Sequence, residues 1–351
     1  MNNSVDEKWM REALAEALTV DGLSSPNPPV GAVLVKDGLA LARGSTQKVG
    51  CNHAEREALS KLESGKARGA TAYVTLEPCS TVGRTGACTS ALIEAGVSRV
   101  VYGATDPNPA HAGGADAVLK EAGIEVLSGV CEEESQHLIR GFAMVQNEGR
   151  PWVVAKTAMS LDGRITRPGG EGQWLTGKEA REQVQLLRGE VDAILTSGET
   201  LRRDNPALTI RSENVCSAKV PPWRVVMTRK SIKREDYELF TDEHRERSLL
   251  FENIPMYKVL RTLAKDHGVN MVLLEAGGDL LGSFLDEGLI DEFVIYLAPI
   301  VTGGDKAAMG GEGSVNLEDR YSLENIEIQR VGDDLCARGI VSRNGSRPLQ
   351  R

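Results

Sequence analysis

Three side chains suited to one metal ion restrict this chain more than anything else in it. They are His53 in His-Ala-Glu (53–55), Cys79 in Glu-Pro-Cys (77–79), and Cys88. Read as ligands of one zinc ion, they must be brought back to a single point by the segments between them. The spacing suits that. Asn52 is placed to cap a helix starting at His53, with Ala54, Ala58, Leu59 and Leu62 on a core-facing side, so His53 and Glu55 fall in its first turn. Ala72–Leu76 reads as a buried strand that stops at Pro78, and Cys88 opens a second helical pattern through Ala91, Leu92 and Ala95 before Gly96. Two helix N-termini then face one pocket, where their dipoles and the metal favour thiolates.

Two plainer readings compete. Asn52 with Glu55 three residues on is also a capping box, in which Glu55 only satisfies backbone donors and His53 is merely exposed. A structural zinc site has four protein ligands; Cys51 is the one nearby candidate for a fourth, and a closed site would make this a zinc-stabilised interaction module. With three ligands, a coordination position stays open for water. One His, two Cys and a non-ligand Glu are the pattern of zinc deaminases, in which the metal makes a hydroxide near neutral pH and the Glu shuttles protons. Glu55 would be that shuttle.

A length of 351 residues suggests two domains, each large enough for its own core. A formal net charge of −9 argues against a nucleic-acid binder, although one local basic pocket for a phosphate is compatible with it. Six cysteines, at 51, 79, 88, 131, 216 and 336, are too sparse and irregular for a disulfide framework. Reduced thiols are expected. The start, Met-Asn-Asn-Ser-Val-Asp-Glu, offers neither a basic nor an apolar leader, and no long apolar run occurs, so a cytoplasmic protein is expected.

Helix and strand patterns alternate along the chain. Residues 6–20 set Trp9, Ala13, Ala17 and Val20 at helical spacing; a Pro-rich loop at 26–29 then leads into the strand Val30–Val35 and a returning strand at 39–43. Asn27, at the mouth of that strand, is either a plain turn residue or a group that holds a substrate hydroxyl or base edge. A strand at 99–103, the loop Asp-Pro-Asn-Pro (106–109), a helix at 114–122, a strand at 124–127 and a helix at 132–146 lead to a linker at 147–151. This predicts an α/β domain over 1–147 and a second over 148–351, with mixed or parallel sheets covered by helices. In the second half, a strand at 152–156 is followed by Ser-Leu-Asp-Gly (160–163), a Gly-rich loop at 169–172, and a helix ending near Arg188. A strand at 191–196 and a turn at Asp204-Asn205-Pro206 come next, then a strand at 271–274 whose end carries Glu275. Gly277-Gly278 opens a helix at 279–287, where backbone N–H groups can approach a phosphate, though the pair also reads as a simple turn. No Gly-x-Gly-x-x-Gly follows a strand, so a Rossmann nucleotide site is not supported. Residues 229–247 read as a charge-rich, solvated surface excursion.

Over nearly its whole length the chain resembles the bifunctional deaminase–reductases of riboflavin biosynthesis. The motifs that carry the resemblance begin with Pro-Asn-Pro-Pro-Val-Gly (26–31), His-Ala-Glu (53–55), Pro-Cys-Ser-x-x-Gly-Arg-Thr-x-x-Cys (78–88) and Asp-Pro-Asn-Pro (106–109). They continue with Ser-Leu-Asp-Gly-Arg (160–164), Gln-Trp-Leu-Thr (173–176) and Asp-Asn-Pro-x-Leu-Thr-x-Arg (204–211). Most discriminating is the long insert between Cys79 and Cys88, where nucleoside and tRNA deaminases generally have Pro-Cys-x-x-Cys.

The resemblance implies a cytidine-deaminase-like α/β/α domain followed by a dihydrofolate-reductase-like α/β domain, with Zn²⁺ and NADPH as cofactors. It implies two reactions on one phosphoribosylaminopyrimidine. The first is hydrolytic deamination of 2,5-diamino-6-(5-phosphoribosylamino)pyrimidin-4(3H)-one, with Glu55 moving the proton. The second is reduction of the ribosyl group to ribityl. On matching positions, Ala158, Trp174, Thr200, Asp204, Gly277 and Gly278 would hold the cofactor, and Arg188, Leu208, Arg211 and Glu275 the substrate. Guanidinium forks suit the ribose phosphate, and a carboxylate at a strand end suits sugar hydroxyls. Trp174 also reads as core packing, and Arg188 as a charge complementing a helix C-terminus. A homodimer or higher assembly is implied as well, with neither nucleic acid nor membrane as partner. Thr81-Val82, Gly172, Asn205 and Ala115 depart from the usual His-His, Ser, Asp and Gly, which motivates one alternative, a deaminase whose second domain is only a scaffold.

Overall fold

The structure, a computed structural model, describes residues 3–81, 86–108, 112–165, 174–215, 219–314 and 316–342. The sequence features at Val82–Thr85, Gly169–Gln173 and Cys216 lie outside these residues. The chain divides into two compact units, Met1–Gly149 and Arg150–Arg351.

The first unit runs α1 (Asn3–Leu18), β1 (Gly31–Lys36), β2 (Leu39–Ser45), α2 (Ala54–Ser60), β3 (Thr71–Leu76), α3 (Cys88–Ala95), β4 (Arg99–Ala104), α4 (Gly114–Glu121), β5 (Glu125–Leu127), α5 (Glu132–Leu138) and α6 (Arg140–Glu148). Its sheet has the order β2-β1-β3-β4-β5, with β1 antiparallel to both neighbours and β3, β4 and β5 parallel. Alternation along β1 sends Ala32 and Leu34 to one face, against Ala54, Ala58, Leu92 and Leu119 from α2, α3 and α4. Val33 and Val35 go to the other face, against Trp9, Met10 and Ala13 of α1. That is the expected α/β/α sandwich. Two glycines let the layers close: a Cβ on Gly31 would lie 1.9 Å from the Ala13 carbonyl oxygen, and one on Gly44 2.4 Å from that of Ala54.

The single helix expected at 132–146 is in fact two, α5 and α6, meeting at Ile139. Ile139 is buried in the core beneath the sheet, and the chain turns to put it there. α6 then continues into the stretch read as a linker.

The second unit runs β6 (Trp152–Ser160), α7 (Lys178–Glu190), β7 (Ala193–Ser197), α8 (Gly198–Asp204), β8 (Trp223–Thr228), α9 (Glu238–Thr241), β9 (Ser248–Glu252), α10 (Met256–His267), β10 (Met271–Glu275), α11 (Gly278–Asp286), β11 (Glu292–Ala298), β12 (Ser322–Val331) and β13 (Asp334–Ser342). Its eight strands lie in the order β12-β13-β11-β6-β10-β7-β8-β9, parallel from β11 to β9, with an antiparallel hairpin β12–β13 on one edge. The helices cover both faces. Ala180, Val184, Leu187 and Leu201 pack on one, and Val259, Leu260, Leu263, Leu281 and Phe284 on the other. β10 comes late in the chain yet sits between β6 and β7, so the order reverses at β6/β10, and crevices for ligands open at the carboxyl ends of strands around such a reversal.

The excursion at 229–247 is less solvated than its charge suggests. It contains α9, and Leu239 of that helix is fully buried. Among the described residues no helix is long and apolar enough to cross a membrane, and all five described cysteines are free thiols.

Candidate active sites

In the first unit the three expected ligands converge. His53 Nδ1 lies 3.6 Å from Cys79 Sγ and 3.4 Å from Cys88 Sγ, and all three ligand atoms are within 4.8 Å of one another. A tetrahedral zinc ion with ordinary Zn–N and Zn–S bonds separates N from S by about 3.5–3.6 Å, so the donors fit that ion without rearrangement. Cys51 is exposed and stands apart; among the described residues no fourth His, Cys, Asp or Glu joins the group. The closed, four-ligand reading therefore finds no support in the geometry.

The local sequence explains the arrangement with one correction. The helix begins at Ala54, not His53. His53 is its N-cap in an extended conformation with no side-chain cap bond, while Asn52 reaches Glu57 at 3.4 Å. His53 thus projects away from the helix, where a ligand must be, and the capping box does not form. Glu55 is only 4% exposed, and its carboxyl lies against the Cys88 thiol. Burial pushes that carboxyl above its ordinary range. Cys88 is the first residue of α3; its own N–H donates to Cys79 Sγ at 3.3 Å, and the next N–H, of Thr89, donates to the Cys79 carbonyl at 3.2 Å. The first turn of α3 therefore cradles Cys79. The hydrogen bond from the Cys88 thiol is the largest of the influences that draw Cys79 down towards the thiolate. Arg56 on α2 ties the segment before Cys88 in place, donating to the Gly86 and Ala87 carbonyls at 2.9 and 3.2 Å.

Glu77 is a contributor that the sequence motif did not bring forward. Its buried carboxylate accepts N–H groups of Asp106, Gly113 and Ala115 at 3.2, 3.0 and 3.0 Å, capping α4 from across the fold where the N-cap, Gly113, has no side chain to do it. The Glu-Pro-Cys run held the signal, overshadowed by its ligand. Asn27 is half-buried in a turn closed by its own N–H to the Ser24 carbonyl at 3.0 Å, and its side chain makes no hydrogen bond to a described residue.

In the second unit Glu275, the last residue of β10, is the register partner of Lys156 in the middle of β6. Glu275 receives a bidentate fork from Arg188, Nε at 2.7 Å and Nη2 at 3.0 Å, and the third nitrogen of Arg188 donates to the Thr209 carbonyl at 2.8 Å. Arg188 sits in the last turn of α7 but is buried in this pair, so complementing the helix dipole is not its main role. Burial works against the charge of Glu275, yet Arg188, Lys156 and Arg211 outweigh it and hold the carboxyl below its ordinary value. For Lys156 burial wins, with Arg188 adding to it, and the ammonium is pushed down. Nothing in the sequence singles out Lys156; it is visible only when β6 and β10 are paired.

The residues expected to hold the cofactor fall on several elements of the second unit. Ala158 is on β6, and Gly277 is the N-cap of α11, just beyond Glu275. Gly278 has a packing reason of its own: a Cβ there would stand 2.3 Å from the Ala307 carbonyl. Thr200 lies in the first turn of α8, where the Ser197 hydroxyl accepts its N–H at 3.0 Å, and Asp204 closes that helix with its carboxyl pushed up by burial. Trp174 is 56% exposed with the Arg181 guanidinium 5.6 Å from its ring centre, which removes the core-packing alternative. Asp162, of the Ser-Leu-Asp-Gly motif, takes hydrogen bonds from Ser160 Oγ and the N–H groups of Thr302 and Gly303, and is held at about 2 chiefly by the first.

Comparison with known proteins agrees with both halves. Residues 3–104 match the cytidine and deoxycytidylate deaminase zinc-binding region, and residues 151–337 the RibD C-terminal domain. The chain is 38% identical to the riboflavin biosynthesis protein RibD of Escherichia coli (strain K12) over 94% of this chain and 98% of that one, and 34% identical to that of Aquifex aeolicus over 95% and 98%. The structure of Acinetobacter baumannii RibD superposes with a TM-score of 0.88 at 35% identity, covering 97% of this chain and all of that one. The Thermotoga maritima diaminohydroxyphosphoribosylaminopyrimidine deaminase/5-amino-6-(5-phosphoribosylamino)uracil reductase superposes at 0.83 and 31%, over 97% of this chain and 100% of that one. The chain belongs to the RibD family, the bifunctional riboflavin-biosynthesis enzymes that join a zinc-dependent deaminase to an NADPH-dependent reductase.

Proposed function

We propose that His53, Cys79 and Cys88 hold Zn²⁺ and that Glu55 carries the proton in hydrolytic deamination of 2,5-diamino-6-(5-phosphoribosylamino)pyrimidin-4(3H)-one. The second unit then reduces the ribosyl group of the product, 5-amino-6-(5-phosphoribosylamino)uracil, to ribityl. The observation that carries this reading is the meeting of three ligand atoms within 4.8 Å beside a buried carboxyl that is not one of them. When bound, Zn²⁺ supplies the Lewis acidity that activates water near neutral pH, and NADPH supplies a hydride. Glu55 accepts the proton of the attacking water at its carboxylate and delivers it to the departing amine, a role for which a raised carboxyl is suited. Asn27 offers the substrate a side-chain amide that bonds no described residue.

In the second unit, Arg211 takes the ribose phosphate, Leu208 packs beside the sugar, and Glu275, oriented by Arg188, accepts sugar hydroxyls. Lys156 holds a proton next to Glu275 and releases it to the ring oxygen that leaves when the sugar opens. Ala158, Trp174, Thr200, Asp204 and the Gly277–Gly278 turn bind NADPH. A scaffold-only second domain is not favoured: the match to the RibD C-terminal domain spans 151–337, and Asn205 occupies a left-handed position that Asn accepts readily. Gly172 lies outside the described residues.

We infer also that the enzyme works in the cytoplasm as a homo-oligomer. The assembly reading is supported by edge strand β12, where Ile328 is 70% and Ile326 53% exposed. Mass spectrometry of the diamino substrate after incubation with zinc-loaded protein and NADPH tests the chemistry. A product both deaminated and reduced is expected. Deaminated but unreduced product would remove the reductase half of the reading, and unchanged substrate would remove all of it.

A further inference from the structure

The loop Asn205–Arg211 has no regular secondary structure, yet in the function proposed above it carries two substrate residues, Leu208 and Arg211. Two of its non-glycine residues are left-handed, Asn205 at φ 38° and Leu208 at φ 51°, a conformation that a buried leucine adopts only when held there. Two arginines do the holding. Arg188 donates to the Thr209 carbonyl, just after Leu208, and is locked by its fork to Glu275. Arg224 of β8 donates to the Ala207 carbonyl, just before Leu208, at 3.0 Å and is locked by a fork to Asp242 at 2.6 and 2.7 Å. The strained residue thus has a gripped carbonyl on each side.

The two anchors differ in where they stand. Arg188 belongs to the site. Arg224 is 1% exposed, and it also donates to the Leu239 carbonyl at 2.8 Å, so it has no route to a substrate. Both of its partners besides Ala207 lie in the charge-rich stretch 229–247. That stretch reaches the loop twice more: the Glu238 N–H donates to Asn205 Oδ1 at 3.2 Å, and Leu239 shares an apolar cluster with Leu201 and Leu208.

We propose that Tyr237–Asp242 is a brace for the substrate loop and that Arg224 is a positioning residue of the reductase, acting through the Ala207 carbonyl on Leu208 and Arg211. The proposal rests on the reading above that Arg211 binds the phosphate end of the substrate. The charge-rich excursion thereby acquires a role, its ionic surface facing water while one buried fork fixes the loop.

The test is steady-state reduction of 5-amino-6-(5-phosphoribosylamino)uracil by the full-length enzyme. Glu238→Pro deletes one N–H at the first position of α9, where proline is at home, after a residue at φ −128°, ψ 133° that tolerates a following proline. Asn205→Gly keeps the left-handed backbone and deletes the acceptor. Each is expected to raise KM for the phosphoribosyl substrate about tenfold, the size of one lost hydrogen bond, with kcat, KM for NADPH, deamination and melting temperature near wild type. Arg224→Lys, which loses the fork, should raise KM for the phosphoribosyl substrate more strongly, and it should also lower the melting temperature because the buried pair with Asp242 is weakened. Arg211→Ala separates the two layers. If it raises KM and Glu238→Pro and Asn205→Gly do not, the brace is wrong and the substrate reading stands; if Arg211→Ala leaves KM unchanged, both fall. A fall in kcat, NADPH affinity and melting temperature together would mark Tyr237–Asp242 as general structural support and overturn the proposal.

Discussion

The two sites are built on opposite plans. The proposed zinc site draws His53, Glu55, Cys79 and Cys88 from the beginnings of two helices and the loop after one strand, all within one short span of chain. The proposed reductase site draws Lys156, Arg188, Arg211 and Glu275 from strands, a helix and a loop far apart in sequence, and centres on a buried ion pair. A local site depends on a few side chains and little on the rest of its unit. A dispersed one shares its residues with the fold, so damage to the site is also damage to stability.

The sharpest way to break that contrast is Glu55→Gln. It should lower deamination by about 10²–10⁴-fold while zinc content, melting temperature and reduction of supplied uracil substrate stay as they are. A variant that lost stability along with turnover would show the zinc site to be as entangled as the other. Next in size is Glu275→Ala, which strands Arg188 as a buried charge and should cost on the order of 3 kcal/mol in urea unfolding of the second unit as well as the reductase activity; intact stability would mean the pair serves substrate alone. Acid should separate the units further. The carboxyl of Glu275 is held below its ordinary 4.5, so its contribution to stability is complete above that value and is lost as pH falls through the lowered one. The acid limb of unfolding should be shallower in Glu275→Gln than in wild type, and superimposable limbs would count against the pair. The smallest effect is expected from Trp174→Ala: a rise of about fivefold in the Kd of NADPH by calorimetry, with no loss of stability because the ring is mostly exposed.

The same contrast explains how much the sequence could disclose. Helical and strand periodicity are enough for the α/β/α sandwich of the first unit, and the ligand spacing is enough for the zinc triad, because each signal is local. Periodicity misplaces the helix start by one residue at His53, where an extended N-cap and a first helical residue look alike in sequence. It also misses the break at Ile139, where burial divides a helix whose pattern runs on. Lys156 gives no sign at all, since its meaning comes from pairing with Glu275 across strands more than a hundred residues apart. Arg224 is hidden for the same reason, and the acidic and basic residues around Leu239 disguise a packed helix as solvated surface.

The late placement of β10 in the middle of the second sheet has a consequence during synthesis. Cys88 and Glu275 are separated by about 190 residues, on the order of ten to forty seconds of translation at ~5–20 residues per second. The first unit can bury its sheet and gather its ligands while the second is still being made. Over the later part of that interval, from residue 160 onward, β6 has been made with neither of its eventual neighbours, β10 and β11, to pair with. A nascent chain paused between residues 160 and 270 is therefore where aggregation would start, and where a chaperone would be expected to bind.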